Sequence, residues 1–463
     1  MTPPVGQIEF VPPTWTIAPF AVLLLAIAVA PLVPACRKFW HANRNKLIVS
    51  LTMSLPVLLY YWLGHPLTIG RGPDAVQVAS RLDVVAHVLH EAVLVEYVPF
   101  MLLLFALYTI SGGIVVRADL KAHPLTNTAI LAVGAVLANF IGTTGAAMLL
   151  IRPLIRTNSE RRHVRHTIIF FIFLVCNVGG CLLPTADPPL FLGYLSGVSF
   201  LWTLRLLPQW AFCSGLLLAI YYVWDSLAYR RETPSDIARD ERAVQPLSVS
   251  GKINLLYLAL VVAAVGLLVP GQKLPGTPFV VPHYLREIVM LSLAATSWLT
   301  TARAVHKANH FTFAAIGEVA ALFLGIFITM QAPIEILRLK GGELGLAHPW
   351  QFFWATGALS GFLDNAPTYM VFFETANSLT AGPGAGIVNL SGGQFIRADL
   401  LAAVSLGAVF MGAMTYIGNG PNFMVKAIAE HRGIRMPGFF AYMIYSTLVL
   451  IPVFGLVTLI FLR

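Results

Sequence analysis

The 463-residue chain has little charge: Asp, Glu, Lys and Arg make up only 11% of it, while 57% is hydrophobic. Soluble domains carry about 25% charged residues, so this scarcity excludes a soluble globular protein. The mean hydropathy of +0.76 and the repeated apolar runs of about 20 residues are typical of membrane-spanning helices. The apolar–polar alternation of a membrane β-barrel is missing.

Paired cysteines and catalytic motifs are also scarce. The four cysteines lie in or beside apolar runs without metal-like pairing and are predicted to be packing residues. No nucleophile elbow, phosphate loop or HExxH sequence is present, so neither an enzyme nor a bound cofactor is expected. The first ten residues have no basic stretch, and a cleaved signal peptide is not expected.

The net charge of +9 comes from basic residues in short loops. Cytoplasmic loops of membrane proteins have this distribution, so binding of nucleic acid is not expected. About 21 of the 30 Lys and Arg lie in six loops that are predicted to be cytoplasmic: 37–46, 113–124, 152–166, 227–252, 303–310 and 426–436. The polar linker 227–252 is predicted to be a flexible joint between two halves.

The apolar runs predict ten membrane spans, two of them broken: 15–35, 47–64, 84–112, 166–205 (broken), 208–226, 253–270, 285–302, 311–332, 398–425 (broken) and 438–462. Two further segments, 125–156 and 349–378, are too interrupted for simple spans. The loop charges put both ends of 125–156 inside and both ends of 349–378 outside. Each is therefore predicted to be a re-entrant helical hairpin, with its tip near Gly142 or at 362–368.

Glycine and proline interrupt the broken spans. Gly179, Gly180, Pro184 and Pro188 cannot all lie within one continuous helix, and Asp187 stands in the middle of this break. Broken backbone within a bilayer is tolerated only where protein buries it or where it lines a watery cavity. An ionisable residue at that depth is a candidate for function.

The second half of the chain repeats features of the first. Glu96 and Glu318 are 222 positions apart, as are Phe140 and Phe362, and at the breaks Gly179 matches Gly412 at an offset of 233. The loop charges give the two halves opposite orientations, which predicts an all-α fold of two inverted repeats, as in many secondary transporters. The predicted units are 1–82 (N-terminal helices), 83–226 (first repeat), 227–252 (linker), 253–437 (second repeat) and 438–463 (C-terminal helix).

Hairpin tips and breaks are predicted to meet near the membrane midplane. They would bring together hydroxyl, amide and carboxylate groups of Asn139, Thr143, Thr144, Asn177 and Asp187 from the first half, and of Asp364, Asn365, Thr368, Asn419 and Asn422 from the second. Such oxygen-rich groups suit small hard cations. No Lys or Arg lies in these tips or breaks. Asp187 and Asp364 are therefore predicted to hold Na⁺ and H⁺ in alternation.

Plainer explanations exist for the same residues. Asp187 precedes Pro188 and Asp364 precedes Asn365, so each carboxylate could cap a helix. Thr143 and Thr144 could only bond back to their own helix. Glu96 and Glu318 begin helices, where the helix dipole stabilises acidic residues, and a proton relay is the alternative role.

Three motifs carry a family resemblance: Asn177-Val-Gly-Gly with Asp187-Pro-Pro, Leu363-Asp-Asn-Ala-Pro-Thr368, and Tyr416-Ile-Gly-Asn-Gly-Pro-Asn422. The chain resembles the ion transporter superfamily, which includes NhaD-type sodium:proton antiporters, citrate and dicarboxylate carriers, and arsenite permeases. Asn177, Asp187 and Asp364 are similar to residues that the NhaD-type antiporters need. Those antiporters have Asp-Asn where this chain has Gly142-Thr143, and the Ser-Asn-Thr triplet of the dicarboxylate branch is at neither tip.

The resemblance implies a homodimer built on the outer helices and an elevator-type movement of the hairpins. The predicted function is Na⁺(Li⁺):H⁺ antiport across a bacterial inner membrane, with lipid and a small inorganic ion as partners. The alternatives are a cation-coupled carrier of citrate, a dicarboxylate or another anion such as arsenite, and a channel without coupling.

Overall fold

The computed structural model describes residues 11–31, 33–64, 67–69, 76–78, 80–242, 244–309, 311–380, 382–391 and 393–463. The first ten residues, to which the expectation about a signal peptide refers, lie outside the described residues.

Helices dominate the described chain. The α-helices are Ala18–Val29, Pro34–Trp40, Asn43–Trp62, Arg81–Leu89, Val98–Gly112, Pro124–Ile141, Thr143–Thr157, Arg165–Phe173, Pro188–Leu195, Leu207–Tyr229, Pro234–Arg242, Ile253–Leu267, Leu285–Thr300, Arg303–Ala308, Ala314–Thr329, Gln331–Lys340, Pro349–Ser360, Asn365–Ser378, Ala398–Met411, Gly420–His431 and Phe439–Phe461. Two π-helical segments, His90–Tyr97 and Leu174–Val178, and four 3₁₀ segments, Thr14–Ile17, Trp202–Leu206, Gly341–Leu344 and Gly412–Met414, extend or join them.

Strands occur only as three antiparallel two-stranded ribbons in the described residues: Leu67–Ile69 with Val76–Val78, Val115–Asp119 with Gln245–Ser250, and Ile387–Asn389 with Phe395–Arg397. The prediction of an all-α polytopic membrane protein is confirmed. In the described part, four helical stretches are long and apolar enough to cross a membrane: Arg81–Gly112, Pro124–Ile141, Trp202–Tyr229 and Phe439–Phe461. A bent pair, Ala314–Thr329 with Gln331–Leu344, makes a fifth, and shorter apolar helices fill out the fold. The count of ten spans stays a prediction.

The first hairpin consists of Pro124–Ile141 and Thr143–Thr157, packed against each other. Gly142 alone separates the two arms, with φ 77° and ψ 154°, a conformation that residues with a Cβ rarely adopt. The second hairpin consists of Pro349–Ser360 and Asn365–Ser378. Both first arms begin with proline, whose fixed φ suits the first turn of a helix.

The first broken helix runs through Arg165–Phe173 and Leu174–Val178, stops at Gly179, and resumes as Pro188–Leu195. The second broken helix runs through Ala398–Met411 and Gly412–Met414 and resumes as Gly420–His431. The resuming halves start after Asp187 and Asn419, which have nearly the same backbone conformation (φ −144° and −152°, ψ 142° in both). The two breaks are therefore built alike.

Equivalent elements recur at fixed offsets. The second hairpin arms start at Thr143 and Asn365, 222 positions apart, which is the offset predicted for this region. Asp187 and Asn419 are 232 apart, as are the starts and ends of Leu207–Tyr229 and Phe439–Phe461. Gly179 and Gly412, the pair at the predicted offset of 233, both occupy the C-cap position of the helical segment before the break. The offset changes to 232 within the breaks, where the N-cap positions align Pro189 with Pro421.

The two halves interlock through their resuming half-helices. Pro188–Leu195 packs against the second arm of the second hairpin, and Gly420–His431 packs against the second arm of the first hairpin. Leu207–Tyr229 and Phe439–Phe461 pack against each other beside them. Each half thus completes the surroundings of the other, and both tips and both breaks come together in the interior.

The linker 227–252 is not a flexible joint. Its helix Pro234–Arg242 and strand Gln245–Ser250 dock on the first half, where Asp240 accepts a hydrogen bond from the Ala122 amide at 2.9 Å. Glu232 accepts from the amides of Arg162 and His163. The expectation of flexibility is wrong because charged residues of this segment make specific contacts with the loops 113–124 and 158–163.

Candidate functional site

The Asp187 carboxylate is the point at which both hairpins and both broken helices meet. Its Oδ1 accepts hydrogen bonds from Thr143 Oγ1 at 3.0 Å and Asn419 Nδ2 at 3.1 Å. Its Oδ2 accepts from Asn365 Nδ2 at 2.6 Å. The side chains of all four residues are at least 96% buried. One carboxylate is thus held by three neutral donors, one from the first half and two from the second.

Backbone geometry brings these donors to Asp187. Thr143 and Asn365 are the first residues of the second hairpin arms, and Asn419 occupies the N-cap position of the resuming half of the second broken helix. The Thr143 amide also donates to the Ala186 carbonyl at 2.9 Å, which fixes the first tip beside the break. A Cβ on Gly180 would come within 2.4 Å of Thr143 Cγ2. Glycine is required there for the close approach of tip and break.

Asp187 and Asp364 differ in whether their side chains cap a helix. Asp187 occupies the N-cap position of Pro188–Leu195, yet its side chain makes no capping bond to that helix. Asp364 does cap its helix, since Oδ1 accepts from the Ala366 amide at 3.1 Å, and it is only half-buried. Capping therefore explains Asp364 at least in part, whereas the bonds of Asp187 are all to other elements.

Three of the predicted asparagines brace the breaks. Asn139 Oδ1 accepts from the Leu182 amide at 2.8 Å, and Asn422 Nδ2 donates to the carbonyls of Gly412 and Thr415. Asn177 Nδ2 donates to Asn422 Oδ1 and to the Ile172 carbonyl, both at 2.8 Å. These side chains replace helical hydrogen bonds that the breaks remove.

The remaining predicted residues are less central. Thr368 Oγ1 bonds back to the Asp364 carbonyl at 2.9 Å, as a helical threonine commonly does. Thr144 is half-buried on the first turn of its arm. Glu96 accepts from Gln331 Nε2 at 3.0 Å, and Glu318 pairs with the buried Lys46 at 2.7 Å. In the described part of the chain, neither glutamate hydrogen-bonds to Asp187 or its donors.

Sequence reasoning missed two side chains outside the breaks that donate hydrogen bonds to backbone carbonyls in the breaks. Trp210 Nε1 donates to the Gly179 carbonyl, and Tyr442 donates to the Ala413 carbonyl, at 3.1 and 2.9 Å. Trp210 and Tyr442 are 232 positions apart, so an offset of 232, rather than the 233 predicted at the breaks, would have matched them. They lie on the two equivalent helices Leu207–Tyr229 and Phe439–Phe461.

Among the buried oxygens of the described chain that have no hydrogen-bond partner, two lie in the first break near Asp187: Asn177 Oδ1 and Thr185 Oγ1. Thr185 lies two residues before Asp187, and Asn177 follows Cys176, whose carbonyl shares the Asn419 donor with Asp187. An unpaired buried oxygen costs free energy unless an ion or a water satisfies it. These atoms, together with the carboxylate, form an oxygen-rich set suited to a hard cation.

Four helix N-termini surround the carboxylate. The helices that start at Thr143, Pro188, Asn365 and Gly420 all begin at or next to a residue of the Asp187 cluster. Each N-terminus carries a positive partial charge. In the described chain no Lys or Arg side chain hydrogen-bonds or pairs with Asp187, so helix ends and neutral donors alone offset its charge.

Apolar helices, paired hairpins and broken helices meeting at one buried carboxylate define a polytopic membrane transporter. A family model described as putative citrate transport matches residues 10–462. The chain belongs to this family, and it is therefore a transporter of the citrate transporter family. No curated protein matches the chain.

Proposed function

We propose that the chain is a secondary active transporter that exchanges Na⁺ or Li⁺ for H⁺ at Asp187 by alternating access. The observation that carries the proposal is the buried Asp187 carboxylate, held by Thr143, Asn365 and Asn419 without a basic side chain. An anionic carboxylate without a protein counter-charge attracts a cation or a proton. Either neutralises the site, and the two compete for the same oxygens.

Unpaired oxygens support a sodium ion as the competitor. The orphaned Asn177 Oδ1 and Thr185 Oγ1 are neutral acceptors of the kind that hard cations take. The positive partial charges of the helix N-termini stabilise the ionised carboxylate when neither Na⁺ nor H⁺ is bound. Because Thr143 and Asn365 belong to different hairpins, movement of either hairpin would alter the donors around Asp187.

Everted vesicles with a pH-sensitive dye test this proposal. Addition of Na⁺ or Li⁺ should dissipate a respiration-generated ΔpH in vesicles with the native chain, and Asp187→Asn should abolish the effect without reducing expression. Glu343→Gln, which neutralises an exposed carboxylate, is the matched control and should retain full exchange. Native exchange in the Asp187→Asn vesicles would refute the mechanism.

Asp364→Asn separates ion contact from capping. Asparagine caps a helix about as well as aspartate, so the variant keeps the helix start and loses only the charge. We expect loss of exchange with an unchanged melting temperature. If exchange stays at the native level, Asp364 serves as a cap and leaves Asp187 as the coupling carboxylate.

A cation-coupled carrier of citrate or a related anion is the second candidate. The family description favours it, and so do the four helix N-termini, because these are binding sites for carboxylate groups. In this case, Na⁺-dependent uptake of labelled citrate into right-side-out vesicles would be saturable, and Na⁺ alone would leave ΔpH unchanged.

Further features belong to the same proposal. Placement in a bacterial inner membrane, and a homodimer formed by outer helices, follow from the resemblance to the ion transporter superfamily. Transport of Na⁺ and H⁺ requires no bound cofactor and no enzymatic step. Mass photometry of the detergent-solubilised protein would measure the oligomeric state.

A further inference from the structure

A cavity of about 830 Å³ lies away from Asp187 and is lined by eight arginines. No Asp or Glu is among the described residues that line it. Four of the six loops predicted to be cytoplasmic contribute to its wall: 113–124, 152–166, 303–310 and 426–436. This space is called the arginine cavity below.

The arginine cavity lies at the outer ends of elements whose inner ends surround Asp187. The helix Thr143–Thr157 contacts Asp187 through Thr143 and lines the cavity from Met148 to Arg156. At 1.5 Å per residue, Met148 is about 8 Å along the axis from Thr143. Arg165 starts the first broken helix, and Arg432 directly follows the second.

Three of the cavity arginines are neutralised by the protein. Arg161 pairs with Asp225 at 2.7 Å, Arg156 with Asp119 at 3.3 Å, and Arg162 with Asp236 at 3.0 Å. In the described part of the chain, the other five have no carboxylate within 4.0 Å: Arg117, Arg152, Arg165, Arg432 and Arg435.

Five uncompensated guanidinium groups around one cavity repel one another, and the cost falls when an anion enters. Arg152 is half-buried and is held in place by the Asn309 carbonyl at 2.8 Å. Arg165 Nε donates to the Arg435 carbonyl at 2.8 Å, which joins the start of the helix Arg165–Phe173 to the loop 432–438. Specific bonds therefore position Arg152 and Arg165, while the side chains of Arg117, Arg432 and Arg435 are exposed.

Guanidinium groups match carboxylate and phosphate oxygens in a two-pronged geometry. A volume of about 830 Å³ lies within the roughly 300–1,000 Å³ range of small-molecule sites, far above the ~30 Å³ that one water occupies. We propose that the arginine cavity binds a multivalent oxyanion, bearing carboxylate or phosphate groups, at the predicted cytoplasmic end of the transport pathway. This site is distinct from Asp187 and does not depend on which ion Asp187 exchanges.

Calorimetry on the purified full-length protein tests the site. Citrate and pyrophosphate, each at constant ionic strength, should bind with a saturable isotherm, while acetate and chloride should not. Arg432→Gln with Arg435→Gln should weaken binding at least about tenfold, since each lost guanidinium removes charge-assisted hydrogen bonds. Both side chains are exposed, and the Arg435 carbonyl that Arg165 uses is kept.

The matched control is Lys38→Gln with Arg44→Gln. These two exposed cations lie in a predicted cytoplasmic loop that does not line the cavity, and their loss should leave binding unchanged. Equal weakening in control and cavity variants would mean a general effect of positive charge and would overturn the proposal. Equal affinity for acetate and citrate would overturn it as well.

A second experiment distinguishes free anions from lipid headgroups as the ligand of the arginine cavity. Nanodiscs of phosphatidylcholine with and without cardiolipin, whose headgroup carries two phosphates, are compared by melting temperature. If a headgroup fills the cavity, cardiolipin stabilises the native chain, stabilises the cavity variant less, and competes with citrate. If free anions fill it, citrate binds equally in both nanodiscs. Absence of binding in every arm would remove the proposal without affecting exchange at Asp187.

Discussion

Asn365→Ala is the sharpest test of how the chain holds its buried charge. The substitution removes the only donor to Asp187 Oδ2 among the described residues, a contact of 2.6 Å between side chains that are 1% and 2% exposed. A hydrogen bond to a charged group contributes about 1.5–3 kcal/mol, and a buried charge left short of a partner costs a similar amount. We therefore expect destabilisation of about 2 kcal/mol.

That free energy can be converted into a melting shift. For 463 residues, an unfolding entropy of about 2.1 cal/mol/K per residue gives roughly 1 kcal/mol/K. The expected fall in melting temperature is therefore about 2 °C. Tryptophan-fluorescence melts of the detergent-solubilised protein at alkaline pH, where the carboxylate is charged, measure such a shift when native and variant are scanned at the same rate.

A double-mutant cycle identifies the cause. In an Asp187→Asn background no charge needs the donor, so Asn365→Ala should cost less than half as much. Asn377→Ala is the control: Asn377 lies on the same helix and is equally buried, but donates to Gln394 at 2.7 Å. Its effect should be the same in both backgrounds. An equal cost of Asn365→Ala in both backgrounds would refute the argument from charge.

Three other predictions follow from the same contacts. Gly180→Ala should abolish exchange in vesicle assays, because the new Cβ would come within 2.4 Å of Thr143 Cγ2 and displace the hairpin tip from Asp187. The control is Gly215→Ala, which has open space around the new Cβ and should exchange ions like the native chain. Asp225→Asn should destabilise the fold by about 3 kcal/mol in melting assays, because Arg161 would lose its charged partner at 2.7 Å and keep only the more distant Glu232 at 3.7 Å. Arg44→Gln, at an exposed position, is the control and should have no measurable effect. Burial raises the pKa of Asp119 above its ordinary value. The folded protein therefore gains stability from protonated Asp119 at acidic pH and loses that stability as the pH rises through the raised pKa. Asp119→Asn should make the melting temperature fall less over this rise in pH, measured in melts across the acidic range.

Much of the fold follows from local chemistry. Low charge and apolar runs predict the helical membrane class, and glycine and proline predict where helices stop. Gly142 needs a positive φ, which local sequence reveals directly. The 222 offset of Thr143 and Asn365 could also be predicted, because the hairpins have equal spacing in both halves.

What could not be predicted depends on contacts distant in sequence. The change of offset within the breaks, from 233 to 232, is one example, because the N-cap positions Asp187 and Asn419 differ in residue type and share only a backbone conformation. The linker docks because Glu232 and Asp240 accept hydrogen bonds from backbone amides in other segments. Composition describes such residues only as polar.

The geometry of the core is repeated in the two halves, but its charge is not. Arg152 and Glu374 occupy equivalent positions on the second hairpin arms, 222 residues apart, and have opposite charges. Arg152 lines the arginine cavity, whereas Glu374 pairs with Arg338 at 3.1 Å.

Glu374 belongs to a group of three carboxylates from three helices, which gather beside one face of the helix Gln331–Lys340. Gln331, Glu335 and Arg338 are about one turn apart on the helix Gln331–Lys340. Gln331 donates to Glu96, Glu335 accepts from Tyr61 at 2.8 Å, and Arg338 donates to Glu374.

The predicted extracytoplasmic end therefore gathers three carboxylates around one arginine, while the predicted cytoplasmic end gathers arginines around an acid-free cavity. A cation approaching Asp187 would meet attraction at one end and repulsion at the other, so raised ionic strength should slow cation entry from the acidic side and speed it from the basic side. Equal salt dependence of exchange in right-side-out and everted vesicles would contradict this electrostatic asymmetry.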